Sequence, residues 1–437
     1  MPTYEIRDPI HGFIRLNEWE RDIINSPIFQ RLRRIRQLGW TEMVYPGASH
    51  TRFEHSLGVM HTATRMFEAA TTKGMTILLA HNFNQDGLNR DKVLVRLVAL
   101  LHDVGHPPFS HAAEDLMPID PQTGRAYKHE AYSAELVRGP LRDVIEDHSL
   151  NRNYGIKAEA VADLLMGSPK AGSSLIWRNL ISSQLDADRA DYLLRDAYHC
   201  GVEYGRYDLN RIVATLTFGQ DPETENLTLA LEEGGMHAAE GLILARYMMF
   251  TQVYFQHTRR AYDHHATAAL KECLRQSHTS ASTRVSDQFP APVAGPQLDE
   301  YREWDDWRAL GMISSGLPGR DAKILLNRSH DRTVFQTVEV PSQEQLREFD
   351  QIRDQLGDLV TFTDDAASSW YKLESDDILV DDTRRRGGTK LTPLSQLSSV
   401  VLGLQPARQR RIYARLEDRN TARAAVEKAI HGGGLVP

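Results

Sequence analysis

The sequence predicts a mainly α-helical protein that carries a small β-hairpin and a C-terminal α+β lobe. Three observations support this fold class. Apolar residues recur at helical spacing through the first 215 residues, a short alternating segment follows, and the last part of the chain mixes both patterns. The chain has 437 residues, of which 41% are hydrophobic and 25% charged, a composition typical of a globular protein.

The helical patterns of the N-terminal part lie in four stretches. Ser26-Pro27 predicts a helix start, and apolar residues follow at helical spacing up to residue 38. Residues 53–70 form an amphipathic pattern, whereas residues 90–104 are apolar nearly all round, which predicts a buried helix. Residues 175–199 predict one long helix.

The pattern changes after this helical part. Residues 212–231 alternate around a Gly-Gln-Asp-Pro turn, which predicts a β-hairpin, and a helix is expected over 236–276. Candidate strands lie at 333–340 and 359–363, a charged loop at 381–390, and a flexible end at 431–437. We expect four parts: a core over 1–215, a hairpin and helix over 216–276, a linker over 277–298, and an α+β lobe over 299–437.

Composition excludes several classes of protein. No apolar run reaches the ~18 residues that a membrane span requires, and no secretory signal is visible at the N-terminus. Only Cys200 and Cys273 occur, which excludes a disulfide framework and a cysteine-rich zinc site. We therefore expect a cytoplasmic protein. The net charge of −8 argues against a nucleic acid as the main partner.

Histidine is concentrated in one window of the chain. The sequence contains 18 histidines. Histidine is the usual neutral metal ligand and proton shuttle, so this window is where a metal site is expected. The histidines between residues 50 and 148 are His50, His55, His61, His81, His102, His106, His111, His129 and His148.

Four residues from this window and beyond it make a plausible metal-binding set. His102 and Asp103 are adjacent at the end of an apolar helix, where a buried aspartate is costly unless it is paired or binds metal. His55 on another apolar helix can supply a second imidazole, and Asp188 a second carboxylate. Such a nitrogen and oxygen set suits a divalent cation that polarises a phosphoryl oxygen and acidifies water.

The segment around Asp188 has a pattern of its own. Asp188, Tyr192 and Asp196 are spaced four residues apart and share one stripe of a helix. This stripe would place an aromatic ring and a second carboxylate beside a metal, where they suit a sugar. A solvated acidic face is the alternative interpretation of the same residues.

These residues also resemble a known family. The His…His-Asp…Asp pattern is similar to that of the HD-domain metal phosphohydrolases, which have a helical HD core. Further motifs resemble their deoxynucleoside triphosphate triphosphohydrolase (dNTPase) branch, which includes bacterial enzymes and the mammalian SAM-and-HD-domain dNTPase. The resemblance covers residues 4–275. Its segments include Asp8-Pro9-Ile10-His11-Gly12, Gln37-Leu38-Gly39, residues 46–59, and residues 245–262.

The resemblance implies roles in metal binding and catalysis. The residues expected to bind the metal are His55, His102, Asp103 and Asp188. His106 and His129 correspond to residues near the α-phosphate, where they transfer protons or stabilise charge. The residues expected to support acid–base chemistry are His111, Glu114 and Glu130.

The resemblance also implies a substrate site. Arg52 and Arg189 are expected to meet the phosphates, and Gln37 and Leu38 to line the sugar and base edge. The residues expected to close around the sugar are Tyr192, which stacks on it, Asp196, which bonds the 3′-hydroxyl, and Tyr262 with His264, which cover the nucleotide.

The reaction implied is hydrolysis of a dNTP to a deoxynucleoside and inorganic triphosphate, with a divalent cation as cofactor. Mg or Mn is the expected metal, with Fe, Ni, Zn and Co left open. The family commonly forms homo-oligomers, from dimer to hexamer, and no membrane partner is expected. Some members bind an activating nucleotide at a subunit interface, and a basic helix face could take part; a solvated charged face is the alternative. Its residues are Arg31, Arg33, Arg34 and Arg36.

Two alternative functions remain at this stage. The chain could be an HD phosphohydrolase for another substrate, such as a nucleoside mono- or diphosphate, a cyclic nucleotide or a nucleic acid end. It could also be a nucleotide-sensing module that keeps its metal for structure or signalling. The sequence fixes neither the base preference, the activator nor the oligomer size, and no motif assigns a role to residues 277–437.

Overall fold

Helices make up most of the protein, as the sequence predicts. The computed structural model describes residues 3–221, 224–278, 287–368, 377–382 and 391–432. The first ten helices are α1 (Glu18–Ile24), α2 (Pro27–Gln30), α3 (Arg52–Lys73), α4 (Met75–Ala80), α5 (Gln85–Leu101), α6 (His129–Arg138), α7 (Arg142–Glu146), α8 (Ala158–Met166), α9 (Ala187–Cys200) and α10 (Leu209–Thr215).

The remaining helices follow the central hairpin of the chain. They are α11 (Met236–Met249), α12 (His257–His278), α13 (Pro296–Arg302), α14 (Asp306–Ser314), α15 (Arg320–Asn327), α16 (Gln343–Leu356), α17 (Leu394–Leu397), α18 (Ser399–Gly403) and α19 (Arg419–Gly432).

Three small sheets accompany the helices in the described part of the chain. One is an antiparallel hairpin, one is the four-stranded sheet β3-β4-β7-β8 in which β4 and β7 are parallel, and one is the antiparallel sheet β5-β9-β6. The strands are β1 (Tyr4–Asp8), β2 (Gly12–Leu16), β3 (Leu216–Gln220), β4 (Leu227–Glu232), β5 (Arg332–Gln336), β6 (Phe362–Ser368), β7 (Leu379–Asp381), β8 (Leu391–Pro393) and β9 (Ala407–Ala414).

Helix α3 is the central element of the main core. Its start is fixed by a capping box in which Glu54 accepts a hydrogen bond of 2.8 Å from the backbone N–H of Thr51. The helix is buried along most of its length and packs against both α5 and α9. Residues near the start of α3 therefore face the end of α5 and the start of α9.

A second, smaller core lies in the C-terminal lobe. Helices α16 and α19 cover one side of strand β9, and Phe349, Ile412 and Val426 are buried between them. This arrangement is an α+β unit because the strand and the two helices each bury one apolar face.

The prediction of one long helix over 175–199 is wrong for the first part of this range. A segment of 3₁₀ turns spans Pro169–Leu180, and the α-helix begins only at Ala187. The break occurs because the Asp186 carboxylate accepts hydrogen bonds from the backbone N–H of Ser183 (2.8 Å) and Arg189 (2.7 Å), which caps the new helix. Helix α9 therefore starts next to Asp188.

Other elements also differ from those that the sequence predicts. The helix over 236–276 is interrupted by a π-helical turn at Phe250–Tyr254, and the helix after Ser26 continues only as a short 3₁₀ segment, Arg31–Arg34. The linker expected over 277–298 contains the start of α13 at Pro296. The β1–β2 hairpin was not expected, because the alternating pattern in these strands is short.

Some expectations fall outside the described residues. These are part of the linker (279–286), most of the charged loop (383–390) and the last part of the flexible end (433–437). Within the described part of the chain, no helix combines the length and the apolar character that crossing a bilayer demands.

A pair of tryptophans tests the position of the main core. Trp177 is fully buried against Phe67 and Phe218 and donates a hydrogen bond of 2.7 Å to Asp91, whereas Trp307 is 68% exposed. We expect Trp177→Ala to lower the free energy of unfolding by about 3–5 kcal/mol and Trp307→Ala by less than about 1 kcal/mol. Urea unfolding measures the free energy of unfolding of both variants. Similar losses of stability in the two would contradict the assignment of Trp177 to the core.

Candidate metal centre and adjoining cavity

The four residues expected to bind metal converge on one point. Helix α3 supplies His55, the end of α5 supplies His102 and Asp103, and the first turn of α9 supplies Asp188. His55 Nε2 lies 3.0 Å from Asp188 Oδ1 and 3.7 Å from Asp103 Oδ2. His102 Nε2 lies 3.3 Å from Asp103 Oδ1 and 3.8 Å from Asp188 Oδ1. Four ligand atoms from three helices thus surround one small space.

The outer nitrogens of both imidazoles are already occupied. His55 Nδ1 lies 2.8 Å from Asp191 Oδ2, and His102 Nδ1 lies 2.8 Å from the backbone carbonyl of Ala99. Each Nδ1 can therefore hold the ring proton, which leaves the lone pair of each Nε2 directed at the shared space. His102 Nε2 is buried without a hydrogen-bond partner. This donor set fits a divalent cation.

The charges of the centre favour a cation as well. Burial lowers the pKa of His55, but hydrogen bonds to Asp188 and Asp191 outweigh it and raise this pKa to about 10, which reflects the negative charge around the ring. A metal ion would displace the proton that Nε2 then carries. Burial opposes ionisation of Asp103, yet the positive charge of Arg52 and the neighbouring imidazoles hold its pKa well below the usual range. Buried carboxylates that stay ionised need positive charge beside them.

A buried charge network holds His55 from behind. Asp191 accepts hydrogen bonds from Arg195 Nε (2.8 Å) and Nη2 (2.9 Å), and its Oδ1 lies 2.6 Å from His11 Nε2. Arg195 Nη1 in turn donates to Asp8 Oδ2 at 2.8 Å. Sequence reasoning did not assign these residues, although the motif Asp8-Pro9-Ile10-His11 was part of the resemblance.

This network needs a glycine on α3. A Cβ atom at Gly58 would lie 1.9 Å from Asp191 Oδ1 and 2.5 Å from Arg195 Nη2, far inside contact distance. The absence of a side chain at Gly58 therefore lets α9 approach α3 closely enough for Asp191 to reach His55.

A cavity of about 160 Å³ opens beside the metal centre. Ten of its lining residues were expected from the sequence to bind metal or substrate or to act in catalysis. They are Gln37, Arg52, His102, Asp103, His106, His111, His129, Glu130, Asp188 and Tyr192. The lining residues that sequence reasoning missed are Leu165, Arg178, Ile181 and Ser182.

The cavity wall contains unsatisfied polar atoms. Buried polar groups without hydrogen bonds are rare in folded proteins, and a cluster of them indicates a missing ligand. The lining atoms that are buried and have no hydrogen-bond partner among the described residues are Gln37 Oε1, Arg52 Nη2, His102 Nε2, His106 Nδ1, Glu130 Oε2 and Arg178 Nε.

Three histidines, His106, His111 and His129, line the cavity, and the carboxylate of Glu114 contacts two of them. His106 Nε2 lies 3.3 Å from Asp103 Oδ1, and its ring stacks on that of His129 with 3.7 Å between centroids. Glu114 Oε1 lies 2.9 Å from His129 Nδ1 and 3.2 Å from His111 Nδ1. Despite its burial, the pKa of Glu114 is lowered by these two imidazoles. The group can hold and pass a proton near the metal centre.

Arg52 is fixed between the metal centre and a strained loop. It pairs with Asp103 and donates a hydrogen bond of 2.8 Å from Nε to Ser110 Oγ. Ser110 and Phe109 both have left-handed φ angles, of 57° and 60°, which non-glycine residues rarely adopt. Asp306 holds this loop by accepting a hydrogen bond of 2.7 Å from the Phe109 N–H.

Five residues expected to bind substrate do not line the cavity. Arg189 pairs with Asp186, and Leu38 lies in the apolar core. Tyr262 stacks on Trp40, and His264 stacks on Phe362 with 3.7 Å between ring centroids. The fifth is Asp196.

Asp196 is buried and already engaged. Its carboxylate lies 2.8 Å from His50 Nε2 and accepts a hydrogen bond of 2.6 Å from the Tyr254 hydroxyl. The roles expected for these five residues in nucleotide binding remain predictions.

The basic face expected to bind an activator is largely occupied within the chain. Arg31 is buried and donates to the backbone carbonyl of Trp304 at 2.9 Å. Arg34 lies 2.5 Å from Asp305, and Arg36 pairs with Glu42. Activator binding there remains a prediction.

Comparison with known proteins places these features in a family. A family model described as "HD domain" matches residues 52–196, and one described as "HD associated region" matches residues 207–288. Uncharacterized protein YwfO of Bacillus subtilis (strain 168) is 32% identical over 348 residues, which cover 78% of this chain and 73% of that protein.

Two named proteins are also similar. Deoxynucleoside triphosphate triphosphohydrolase SAMHD1 of Gallus gallus is 25% identical over 414 residues, which cover 88% of this chain and 64% of that protein. The solved structure of Phosphohydrolase (BT4208) from Bacteroides thetaiotaomicron VPI-5482 is 25% identical, with a TM-score of 0.71 over 95% of this chain and 100% of that one. Against two further relatives, this chain spans 47% and 55% of their lengths.

Gly58 provides a test of the network behind His55. We expect Gly58→Ala to weaken Mn²⁺ binding by about 10–100-fold, because the new methyl group displaces Asp191 and frees the His55 ring. Isothermal titration with Mn²⁺ measures the affinity. Gly241→Ala on α11 is the matched control, since its Cβ would meet no atom closer than 3.7 Å.

Asp191→Asn keeps the shape of the side chain and separates this effect from simple misfolding. It removes the charge that orients His55, so Mn²⁺ affinity should again fall while the melting curve stays cooperative. Wild-type affinity in both variants would show that the network does not position a metal ligand.

Proposed function

This chain belongs to the HD-domain phosphohydrolase family, and we propose that it hydrolyses deoxynucleoside triphosphates to deoxynucleoside and inorganic triphosphate. The coarser activity, phosphate-ester hydrolysis, follows from the family. The finer one rests on the relatives named as deoxynucleoside triphosphate triphosphohydrolases and on the cavity described above.

One observation carries the proposal. Each of two imidazole nitrogens lies 3.0–3.8 Å from two carboxylates, beside a cavity whose wall holds unpartnered donors and acceptors. A structural metal site would be closed by protein ligands, whereas this one opens onto space for a substrate.

His55, His102, Asp103 and Asp188 would hold the divalent cation. When bound, such a cation polarises a phosphoryl oxygen and makes water more acidic, which assists attack on phosphorus. Imidazole and carboxylate ligands suit Mg, Mn, Fe, Ni, Zn and Co to different degrees.

The chain's own residues then bind and neutralise the phosphate chain. Arg52 reaches the cavity with a free Nη2 donor, and its planar guanidinium suits a phosphate oxygen. His106 lies beside it at the base of the cavity. These groups stabilise the negative charge that develops on the α-phosphate during attack.

The remaining groups serve the leaving group and the sugar. Water attacks the α-phosphorus, the bond from phosphorus to the 5′-oxygen breaks, and the deoxynucleoside leaves after its 5′-oxygen gains a proton. His129 and His111, both held by Glu114, are placed to give that proton. Tyr192 lines the cavity at the position where a sugar ring would stack.

The products of the reaction test which bond is broken. We expect purified protein with Mn²⁺ or Mg²⁺ to convert dNTPs to inorganic triphosphate and deoxynucleoside. In water enriched in ¹⁸O, the label should enter the triphosphate and not the nucleoside. Ion-exchange chromatography with mass spectrometry checks both. Deoxynucleoside monophosphate and pyrophosphate would contradict the proposed bond.

Loss of one ligand tests the role of the centre. We expect His102→Ala to lower the rate of dNTP hydrolysis by about 1,000-fold or more, because the cation contributes several kcal/mol to the transition state. Steady-state assays with metal analysis measure this, and His237→Ala, on a side chain that is 84% exposed, is the matched control.

Two results would point away from dNTP hydrolysis. Turnover of cyclic nucleotides, nucleoside mono- or diphosphates or nucleic acid ends in place of dNTPs would favour another HD phosphohydrolase. Wild-type protein that binds nucleotide without turnover, with unchanged nucleotide-dependent assembly in His102→Ala, would favour a sensing module.

A further inference from the structure

Arg178 is a cavity residue that neither the sequence patterns nor the family resemblance singles out. It lies near the end of the 3₁₀ segment Pro169–Leu180, and its side chain lines the same cavity as Arg52, His106 and Tyr192. The 3₁₀ segment ends at Leu180, and α9, which carries Asp188 of the metal centre, begins at Ala187.

The charge of Arg178 is not neutralised within the protein. No ion pair or side-chain hydrogen bond joins it to another residue of the described chain, and its Nε is buried without a partner. The other arginines near the centre differ in this respect. Arg189 is paired with Asp186, and Arg52 is paired with Asp103 while keeping one free donor.

The Arg178 side chain packs against Gly167, where no side chain stands in its way. Gly167 ends α8 with a left-handed φ of 66°. A Cβ atom there would lie 2.7 Å from Arg178 Nε, 2.9 Å from Cζ and 3.0 Å from Cδ. The guanidinium thus packs directly on the backbone of Gly167, which limits its rotation and holds the group at the cavity wall.

Arg178 is half-buried, and a guanidinium whose Nε has no partner in the described chain is stabilised by a ligand that supplies the opposite charge. The proposed substrate supplies it, since a nucleoside triphosphate carries several negative charges along a flexible chain. A planar guanidinium binds phosphate oxygens through two parallel hydrogen bonds. With Arg52, it would give the cavity two separate arginines for one phosphate chain.

We propose that Arg178 binds the phosphate chain of the substrate together with Arg52. The inference rests on the proposed function, because the ligand is taken to be a polyphosphate. It assigns Arg178 to binding of the phosphates and leaves recognition of the sugar and base to other residues.

The test uses a probe that contains only phosphate. In saturating Mg²⁺, we expect Arg178→Ala to weaken inorganic triphosphate as an inhibitor of dNTP hydrolysis by about 10–100-fold and to raise the KM for dNTP similarly, since a charged hydrogen bond is lost. Inhibition by the deoxynucleoside product, which has no phosphate, should stay within about twofold.

Two further variants make the result specific. Arg142→Ala removes an exposed arginine of α7. It should leave unchanged the inhibition constant of triphosphate, the KM for dNTP and the inhibition constant of the deoxynucleoside. Arg178→Lys keeps the charge but loses the planar fork, so it should weaken triphosphate binding by about 10-fold, and it serves as the measurement if Arg178→Ala does not fold.

The outcomes separate this inference from the proposed function. Wild-type hydrolysis of dNTP with unchanged triphosphate inhibition in Arg178→Ala would overturn the role of Arg178 alone. An equal loss of affinity for triphosphate and for deoxynucleoside would also overturn it, because that indicates a general disturbance of the cavity. Wild-type protein that neither hydrolyses dNTP nor binds triphosphate would overturn the proposed function itself.

Discussion

The metal centre depends on two carboxylates that must stay ionised, one of them, Asp103, deeply buried and the other, Asp188, partly exposed. Asp103 is buried at the end of α5, and Asp188 faces it from the first turn of α9, both beside His55. Carboxylates so close together repel one another unless a positive charge lies between them. A divalent cation would satisfy both at once, and the packing of α3, α5 and α9 is the arrangement that keeps these side chains together.

The surrounding structure serves to hold these ligands in place. Asp191 and Arg195 fix the ring of His55 from below, and Gly58 gives them the room to do so. On the other side, the left-handed residues Phe109 and Ser110 carry a hydrogen bond to Arg52. A strained backbone conformation of this kind persists only where many surrounding contacts hold it in place, and such strain is common at functional sites.

Part of this site could be predicted from the sequence. Metal ligands are restricted to few residue types, so His102-Asp103 at the end of an apolar helix already pointed to a cation. Asp191 had no such signal, because nothing in the sequence shows that Arg195 and Gly58 of α3 will enclose it. Arg178 is one arginine in an aperiodic segment, and only folding brings it to the cavity.

The fold, too, could be predicted only in part from sequence patterns. The periodicity that predicted α3 and the central hairpin reflects burial of one face, which the sequence records directly. Leu180 and Leu185 continue that periodicity across the break before α9, so the pattern suggested one helix. The capping residue Asp186 was the signal that could have placed the boundary.

The most direct measurement of the central claim is an anomalous difference map from crystals grown with Mn²⁺. We expect one metal peak. It should lie about 2.0–2.2 Å from Nε2 of His55, from Nε2 of His102, and from a carboxylate oxygen of each of Asp103 and Asp188. A well-ordered structure in which these side chains surround no peak, or in which Mn²⁺ lies elsewhere, would contradict it.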